Sequence, residues 1–312
     1  MRRRQSGKTR TRGSLIRPRH AAQTASYAGF EVLIGRAKKV SGFVRKVWTH
    51  PANEQRHVAQ LLSATRFQLR GRLLHRPTII DIGAHSKMWA RLDSAASILA
   101  AYGNPPDFNE WRLWQRHLAP GCLFVDVGAN VGTYTLLACD LGASVIAAEP
   151  NAENIRRLEE NLKLNGYSAE IWPVALTDRS GPVLFTSDLD TENHFTRTPT
   201  SSGVTVAGET FDSLIAGRHV HGIKVDVEGA ERFVLEGAQA ALAAGRIDLL
   251  QLEWNGCARM NFGESRVVAR EFLAAHGYGL YRAQSNGRLA PVEGEEGTDI
   301  FAARTGVAER LM

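Results

Sequence analysis

Short apolar runs separated by helically spaced apolar residues recur along most of the chain. Leu123–Val127 is such a run, broken only by Asp126 near its end. Ser144–Ala148, Ala169–Val174, Ile223–Val227 and Asp248–Leu252 repeat the form. Runs of this length predict strands buried on both faces. Between them, Leu136, Leu137 and Leu141 share one helix face, as do Ile155, Leu158 and Leu162, and later Phe233, Val234, Leu235 and Ala238. Asn151 is placed to cap the second of these helices and Gly166 to end it. Strand and helix in alternation predict an α/β, doubly wound, mostly parallel sheet. Two final strands, Tyr278–Arg282 and Thr298–Ala303, are joined by the polar, Gly-rich stretch Gln284–Gly297. With no helix between them, they predict an antiparallel hairpin closing a seven-stranded sheet.

Upstream, 27–48 mixes apolar and basic positions as an amphipathic helix would, and 52–74 has helical spacing at Val58, Leu61, Leu62 and Phe67. Thr78–His85 reads as a strand or hairpin covering the sheet edge, with His85 a surface or packing residue. Residues 93–118 read as helix interrupted at Gly103–Pro106. Trp111, Trp114 and Leu118 then form one apolar face, expected over the ligand pocket. Val183–Thr186 and Val204–Val206 read as a hairpin pair. Between them, the polar stretch Ser187–Gly203, which holds His194, is too long for a simple connection and is expected to be a lid.

Charge divides the chain. Residues 1–46 hold 13 Lys/Arg and one acid, so the formal net charge of +6 belongs to this arm and not to the rest. The expected organisation is a basic arm (1–46), a helical extension (47–104) and the α/β domain (105–312). A solvated arm is the plain expectation, since no aromatic residues interleave Arg2–Arg19 as a nucleic-acid surface would require. No apolar run approaches the ~18 residues of a membrane span. Arg2-Arg3-Arg4 lacks the apolar segment of a secretory signal. The three cysteines, Cys122, Cys139 and Cys257, share no metal-ligand spacing and fit a reducing compartment, so a cytoplasmic location is expected.

The candidate chemistry lies at strand ends. Asp126-x-Gly128-x-Asn130-x-Gly132 follows the first strand and opens a helix. A dinucleotide fingerprint needs G-x-G-x-x-G and a bare helix N-terminus for its pyrophosphate. Asp126 would repel a pyrophosphate but suits a cation. S-adenosylmethionine carries a sulfonium and an ammonium and has no phosphate. Glu149 ends the next strand, where an acid accepts both ribose hydroxyls of an adenosine. Pro150 and Asn151 follow it, and Ala175 and Leu176 occupy the next edge, where an adenine would lie. In Ile223–Glu228, Lys224, Asp226 and Glu228 alternate on a strand otherwise built for burial, which places all three on one side near the ligand edge. Asp226 is the leading residue for contact with the acceptor or with the donor's amino-acid end. Glu228 is a second carboxylate, Lys224 the group that holds Asp226 ionised, and His194 an outlying base. Asp226, Glu228 and Glu253 have the oxygen chemistry for a divalent metal, but no spacing rule requires one and no metal ligands are assigned.

Four blocks together carry a resemblance: F-V-D-V-G-A-N-V-G-T-Y-T at 124–135, A-E-P-N-x-x-N at 148–154, I-K-V-D-V-E-G-A-E at 223–231 with V-L-E-G-A at 234–238, and Leu252-Glu253 at the end of the fifth strand. Over about 105–304 the chain resembles the FkbM-type S-adenosylmethionine-dependent methyltransferases. The resemblance implies a Rossmann-like class I methyltransferase fold. It also implies O-methylation of a hydroxyl on a small molecule, glycan or polyketide-type product. Two other classes stay open: a nucleic-acid methyltransferase using the basic arm, and a non-catalytic Rossmann-like binding module. Against the first, the fourth strand lacks the Asn/Asp-Pro-Pro-aromatic signature of amino-group methylation. Neither the acceptor nor the oligomeric state is fixed by these residues.

Overall fold

A computed structural model describes residues 40–186, 195–196, 203–254, 257–292 and 299–312. The chain divides into two compact units, Met1–Lys46 and Val47–Met312. In the first, the described residues 40–46 are helical.

The second unit opens with helix α1 (His57–Leu74) and an antiparallel hairpin of β1 (Thr78–Ile82) and β2 (Ser86–Ala90). Helices α2 (Ala95–Tyr102) and α3 (Phe108–His117) follow. The α/β alternation then runs β3 (Leu123–Val127), α4 (Thr133–Asp140), β4 (Ser144–Ala148), α5 (Ala152–Asn165) and β5 (Glu170–Trp172). A small sheet follows, built from β6 (Ala175–Leu176), β7 (Gly181–Thr186), β8 (Phe195–Thr196) and β9 (Gly203–Glu209) in the order β6-β9-β7-β8. The chain returns through α6 (Phe211–Ile215), β10 (Val220–Val225), α7 (Glu231–Gly237), α8 (Gln239–Ala243) and β11 (Ile247–Glu253). It ends with α9 (Cys257–Phe262), α10 (Arg266–Ala275), β12 (Tyr278–Ala283), β13 (Leu289–Pro291), β14 (Asp299–Arg304) and α11 (Thr305–Leu311).

The main sheet has the order β13-β12-β14-β11-β10-β3-β4-β5. β11, β10, β3, β4 and β5 are parallel, and β14, β12 and β13 add antiparallel at one side. From β3 the chain winds outward to β5, then crosses back and winds the other way from β10. The strand order therefore reverses between β3 and β10, which is where open α/β sheets bind ligands.

Burial explains the elements. Phe124, Val125, Asp126 and Val127 of β3 are all buried, as a strand covered on both faces requires. On one face Trp114 of α3 packs edge-on against Phe124, centroids 5.0 Å apart, and also against Phe301. Its Nε1 donates to Oε1 of the buried Gln251 at 2.6 Å. Gly222 makes room for it, since a Cβ there would lie 2.5 Å from the Trp114 ring. On the other face Val125, Ile223 and Leu250 pack with Val234, Leu235 and Leu273.

Four expectations are corrected. The sheet has eight strands, not seven, because Leu289 within the polar 284–297 stretch is buried and pins β13 to β12. The strand expected over 169–174 ends at Trp172, where Pro173 offers no amide hydrogen, and Ala175–Leu176 pairs with β9 instead. The β1–β2 hairpin covers α5 rather than the sheet edge: Trp89 N–H donates to Asn161 Oδ1 at 2.8 Å and Lys87 N–H to Asn165 Oδ1 at 2.7 Å. The Trp111/Trp114/Leu118 face packs into the core instead of over the ligand pocket, because both indoles are too large to leave in water beside an apolar sheet. The stretch 187–194, with His194, lies outside the described residues, as do 197–202.

Candidate functional site

The turn after β3 is built so that backbone alone can fill it. Gly128 sits at φ +77°, and a Cβ there would fall on the Asp226 carbonyl oxygen. Asn130, at φ +49°, is held in the left-handed region by its neighbours. Its N–H donates to Glu149 Oε2 at 2.9 Å, and its Oδ1 accepts from Val131 N–H at 2.8 Å. Glu149 Oε1 accepts from Asn151 N–H at 2.9 Å and from Asn154 Nδ2 at 3.4 Å. One buried carboxylate thus ties the β3 turn to the start of α5. Burial raises its pKa, and the two backbone amides oppose the rise.

Two clefts adjoin at this edge. The first, ≈ 550 Å³, is lined by Gly128, Asn130, Glu149 and Pro150 with apolar walls from Ala175, Leu176 and Phe185. The second, ≈ 840 Å³, is lined by Asp107, Asp126, Lys224, Asp226, Glu228 and Glu253. Gly128, Asn130 and Asp226 belong to both. Two expected residues stand back from the walls. Gly132 starts α4 at φ +94°, with Leu158 where a side chain would go, and Asn151 uses its Oδ1 to cap α5.

The second cleft is organised by one buried cation. Lys224 Nζ lies 3.0 Å from Asp226 Oδ2 and 3.5 Å from Asp299 Oδ1, and 5.3 Å from the Tyr134 ring centroid. Burial would lower its pKa, but Asp226, Asp299 and Asp107 outweigh burial and hold it above the ordinary lysine value. The network continues through neutral groups. Gln251 Nε2 donates to Asp299 Oδ1 at 2.9 Å and to Tyr134 Oη at 3.0 Å, and Tyr134 Oη–H donates to Asp107 Oδ2 at 2.9 Å. Burial, then repulsion from Asp299, pushes Asp107 up to about 6. Burial also pushes Asp126 up to about 6, against the hydrogen bond from Thr135 Oγ1 at 2.7 Å. The sequence alone assigns no site role to Asp107, Tyr134, Gln251 or Asp299. Asp107 follows Pro105-Pro106 directly before α3 and reads there as an ordinary N-cap, yet its side chain makes no cap bond and turns to Tyr134.

Residues 126–280 match the family model of the methyltransferase FkbM domain. These residues carry an FkbM-type methyltransferase domain, and the chain is a methyltransferase. No curated protein matches it. Among solved structures this methyltransferase is similar to a precorrin-6y C5,15-methyltransferase from Geobacter metallireducens, at 12% identity over 64% of this chain and 90% of that one, TM-score 0.37. It is similar to a TehB-like SAM-dependent methyltransferase from Corynebacterium glutamicum, at 18% identity over 65% and 90%, TM-score 0.37. It is also similar to an rRNA methylase from Streptococcus thermophilus, at 11% identity over 62% and 93%, TM-score 0.38. Among the described residues, no helix of the methyltransferase is long and apolar enough to cross a membrane.

One expected grouping in the methyltransferase is only partly met. β10 ends at Val225, so Glu228 lies beyond the strand at φ +53° and does not share a period-two face with Lys224 and Asp226. Glu228 Oε2 instead accepts from the Cys257 thiol at 3.2 Å. Ligand atoms of Glu228, Glu253 and Cys257 lie within 4.8 Å of one another, so the metal-capable trio differs from the Asp226, Glu228 and Glu253 set of the sequence reading. Burial, then repulsion from Asp226 and Glu228, raises the pKa of Glu253 above the ordinary carboxylate range.

These raised acids fix the sign of a pH effect. Asp107 and Asp126 titrate near 3.8 when unfolded and at about 6 when folded. Between those values the folded chain holds more protons than the unfolded one, so the contribution of these two acids to stability is fully present below about pH 4 and is lost as pH rises to 6. At about 1.4 kcal/mol per unit, we expect unfolding free energy to rise by a few kcal/mol between pH 7 and pH 5 in urea titrations. Asp126→Asn should flatten that slope.

Proposed function

We propose that this methyltransferase takes its methyl group from S-adenosylmethionine and delivers it to a hydroxyl of a small molecule, sugar or polyketide-type product. The observation that supports this reading best is the division of labour between the two clefts. Glu149 lines an apolar-walled cleft, and its Oε2 receives a single hydrogen bond among the described residues. That oxygen keeps a lone pair for a ribose hydroxyl, with Ala175 and Leu176 beside an adenine. The neighbouring cleft presents Asp126, Asp226 and Asp107, a wall that favours a cationic ligand and disfavours a phosphate.

When bound, the donor supplies a methyl carbon made electrophilic by its sulfonium. The protein has to align the acceptor oxygen and remove its proton. Asp226 lines both clefts, so it stands where donor and acceptor meet, and Lys224 fixes its carboxylate. Asp107, pushed up to about 6, has the basicity to take a hydroxyl proton near neutral pH. Tyr134 holds it in place.

Calorimetric titration with S-adenosylhomocysteine tests the donor assignment. Wild type should bind in the micromolar range. Glu149→Ala should lose about 1–3 kcal/mol, a factor of ten to a hundred or so, because both the ribose and the Asn130 and Asn151 amides lose their acceptor. No binding by a folded wild-type protein would remove S-adenosylmethionine from the reading.

A further inference from the structure

Helix α1 is buried along one face and carries an apolar stripe on the opposite one. Gln60, Ala64 and Phe67 are buried, and Gly71 packs against Leu92, so this face is seated on the rest of the unit. On the opposite face Val58, Leu62, Leu69 and Leu73 are 63%, 67%, 54% and 74% exposed. At 100° per residue those four fall within a sector about 60° wide. They form one stripe along four turns and not a scatter of single exposed residues, which alone would need no explanation. Arg66 and Arg72 border the stripe on either side and are exposed. Residues 57–76 include four arginines and no acid.

We propose that this stripe seats α1 in the headgroup region of an anionic lipid surface. An amphipathic helix in that position buries its apolar face at the acyl boundary while flanking basic side chains reach outward to lipid phosphates. The pattern of Leu at the centre and Arg at both borders matches that environment. It does not match a second copy of the chain. Arg66 borders the stripe at its midpoint, so antiparallel pairing of two α1 helices about a two-fold axis sets Arg66 against Arg66, and parallel pairing runs the Arg66 border of one helix along the Arg72 border of the other, with no acid on either helix to relieve it. The surface is separate from the two clefts, and its assignment does not depend on the donor or acceptor of the methyltransferase.

Vesicle co-sedimentation of the full chain is the test, with liposomes of phosphatidylcholine alone and of phosphatidylcholine containing about one-third phosphatidylglycerol. The basic arm can attract anionic vesicles by itself, so the comparison is made at high salt, which screens charge but leaves apolar insertion. Wild type should bind the anionic vesicles, and the double variant Leu62→Glu/Leu69→Glu should bind about tenfold or more weakly. Arg66→Glu/Arg72→Glu should weaken binding at moderate salt. All of these positions are exposed, so far-ultraviolet circular dichroism and thermal midpoints should match wild type. Equal binding of the Leu62/Leu69 variant and wild type at high salt would overturn the proposal, as would equal binding to neutral and anionic vesicles at moderate salt. A wild-type chain that ignores vesicles but sediments as a dimer, dissociated by Leu62→Glu/Leu69→Glu, would assign the stripe to a second copy instead.

Discussion

Gly128→Ala should abolish S-adenosylhomocysteine binding and destabilise the fold by about 3–5 kcal/mol. Two independent constraints meet at this residue. Its φ of +77° is strained for any residue with a Cβ, and the added carbon would fall on the backbone carbonyl of Asp226. A flexible side chain could swing away from such a clash, but a carbonyl at the end of β10 cannot. Asp226 N–H donates to Val127 O at 3.0 Å, and Gly128 N–H donates to Ala148 O at 2.9 Å. Pushing the two turns apart therefore strains the junctions of β3 with both β10 and β4, on which the two clefts rest. Gly166→Ala is the control. It carries a similar φ of +69° but has nothing within 4 Å of the added carbon, so it should cost about 1 kcal/mol and leave ligand binding intact. Chemical denaturation and calorimetry on both variants separate the strain of a positive φ from the loss of the turn.

What the sequence carried and what it hid follow from the range of the interactions involved. The β3 turn and Glu149 are local features. Glycine spacing reports backbone that must take positive φ, and an acid closing an apolar run reports a strand end, so Asp126, Gly128, Asn130 and Glu149 were legible together. Lys224 and Asp226 were legible because charges inside a buried run demand a reason. Asp107, Gln251 and Asp299 were not, because they meet Lys224 and Tyr134 only after distant segments fold together. Gln251 looks like one polar residue in an apolar strand, and nothing local says that it bridges Trp114, Tyr134 and Asp299. Glu228 was misplaced for a related reason. Period-two counting assumes that the strand continues, and Glu228 at φ +53° has already left it. In α1 the spacing of Val58, Leu61, Leu62 and Phe67 announced a helix, but spacing alone did not reveal that one apolar face would stay exposed.

Lys224→Met should cost about 3 kcal/mol at neutral pH and progressively less as the pH falls toward 5. Methionine keeps the length and apolar stem of lysine, so packing against Tyr134 survives and the loss is electrostatic. Without the ammonium, Asp299, partly buried and 3.5 Å from Nζ, and Asp226, 3.0 Å from it, face each other and Asp107 as unrelieved charges. Breaking such a group by removing one partner is costly because the remaining charges stay out of water, whereas removing charge on both sides is mild. The double variant Lys224→Met/Asp299→Asn should therefore recover much of the loss. Lys224→Met/Asp226→Asn should recover less, since Asp226 is 41% exposed and already partly hydrated. The pH trend follows from the same groups. Asp107 and Asp126 already titrate higher in the folded chain than in the unfolded one, and Lys224 is among the groups that lower them, so its loss raises them further; their protonation below pH 6 relieves the repulsion and stability returns with acid. A Lys224→Met loss that is independent of pH, or that Asp299→Asn fails to reduce, would mean that packing and not charge holds this corner of the second cleft together.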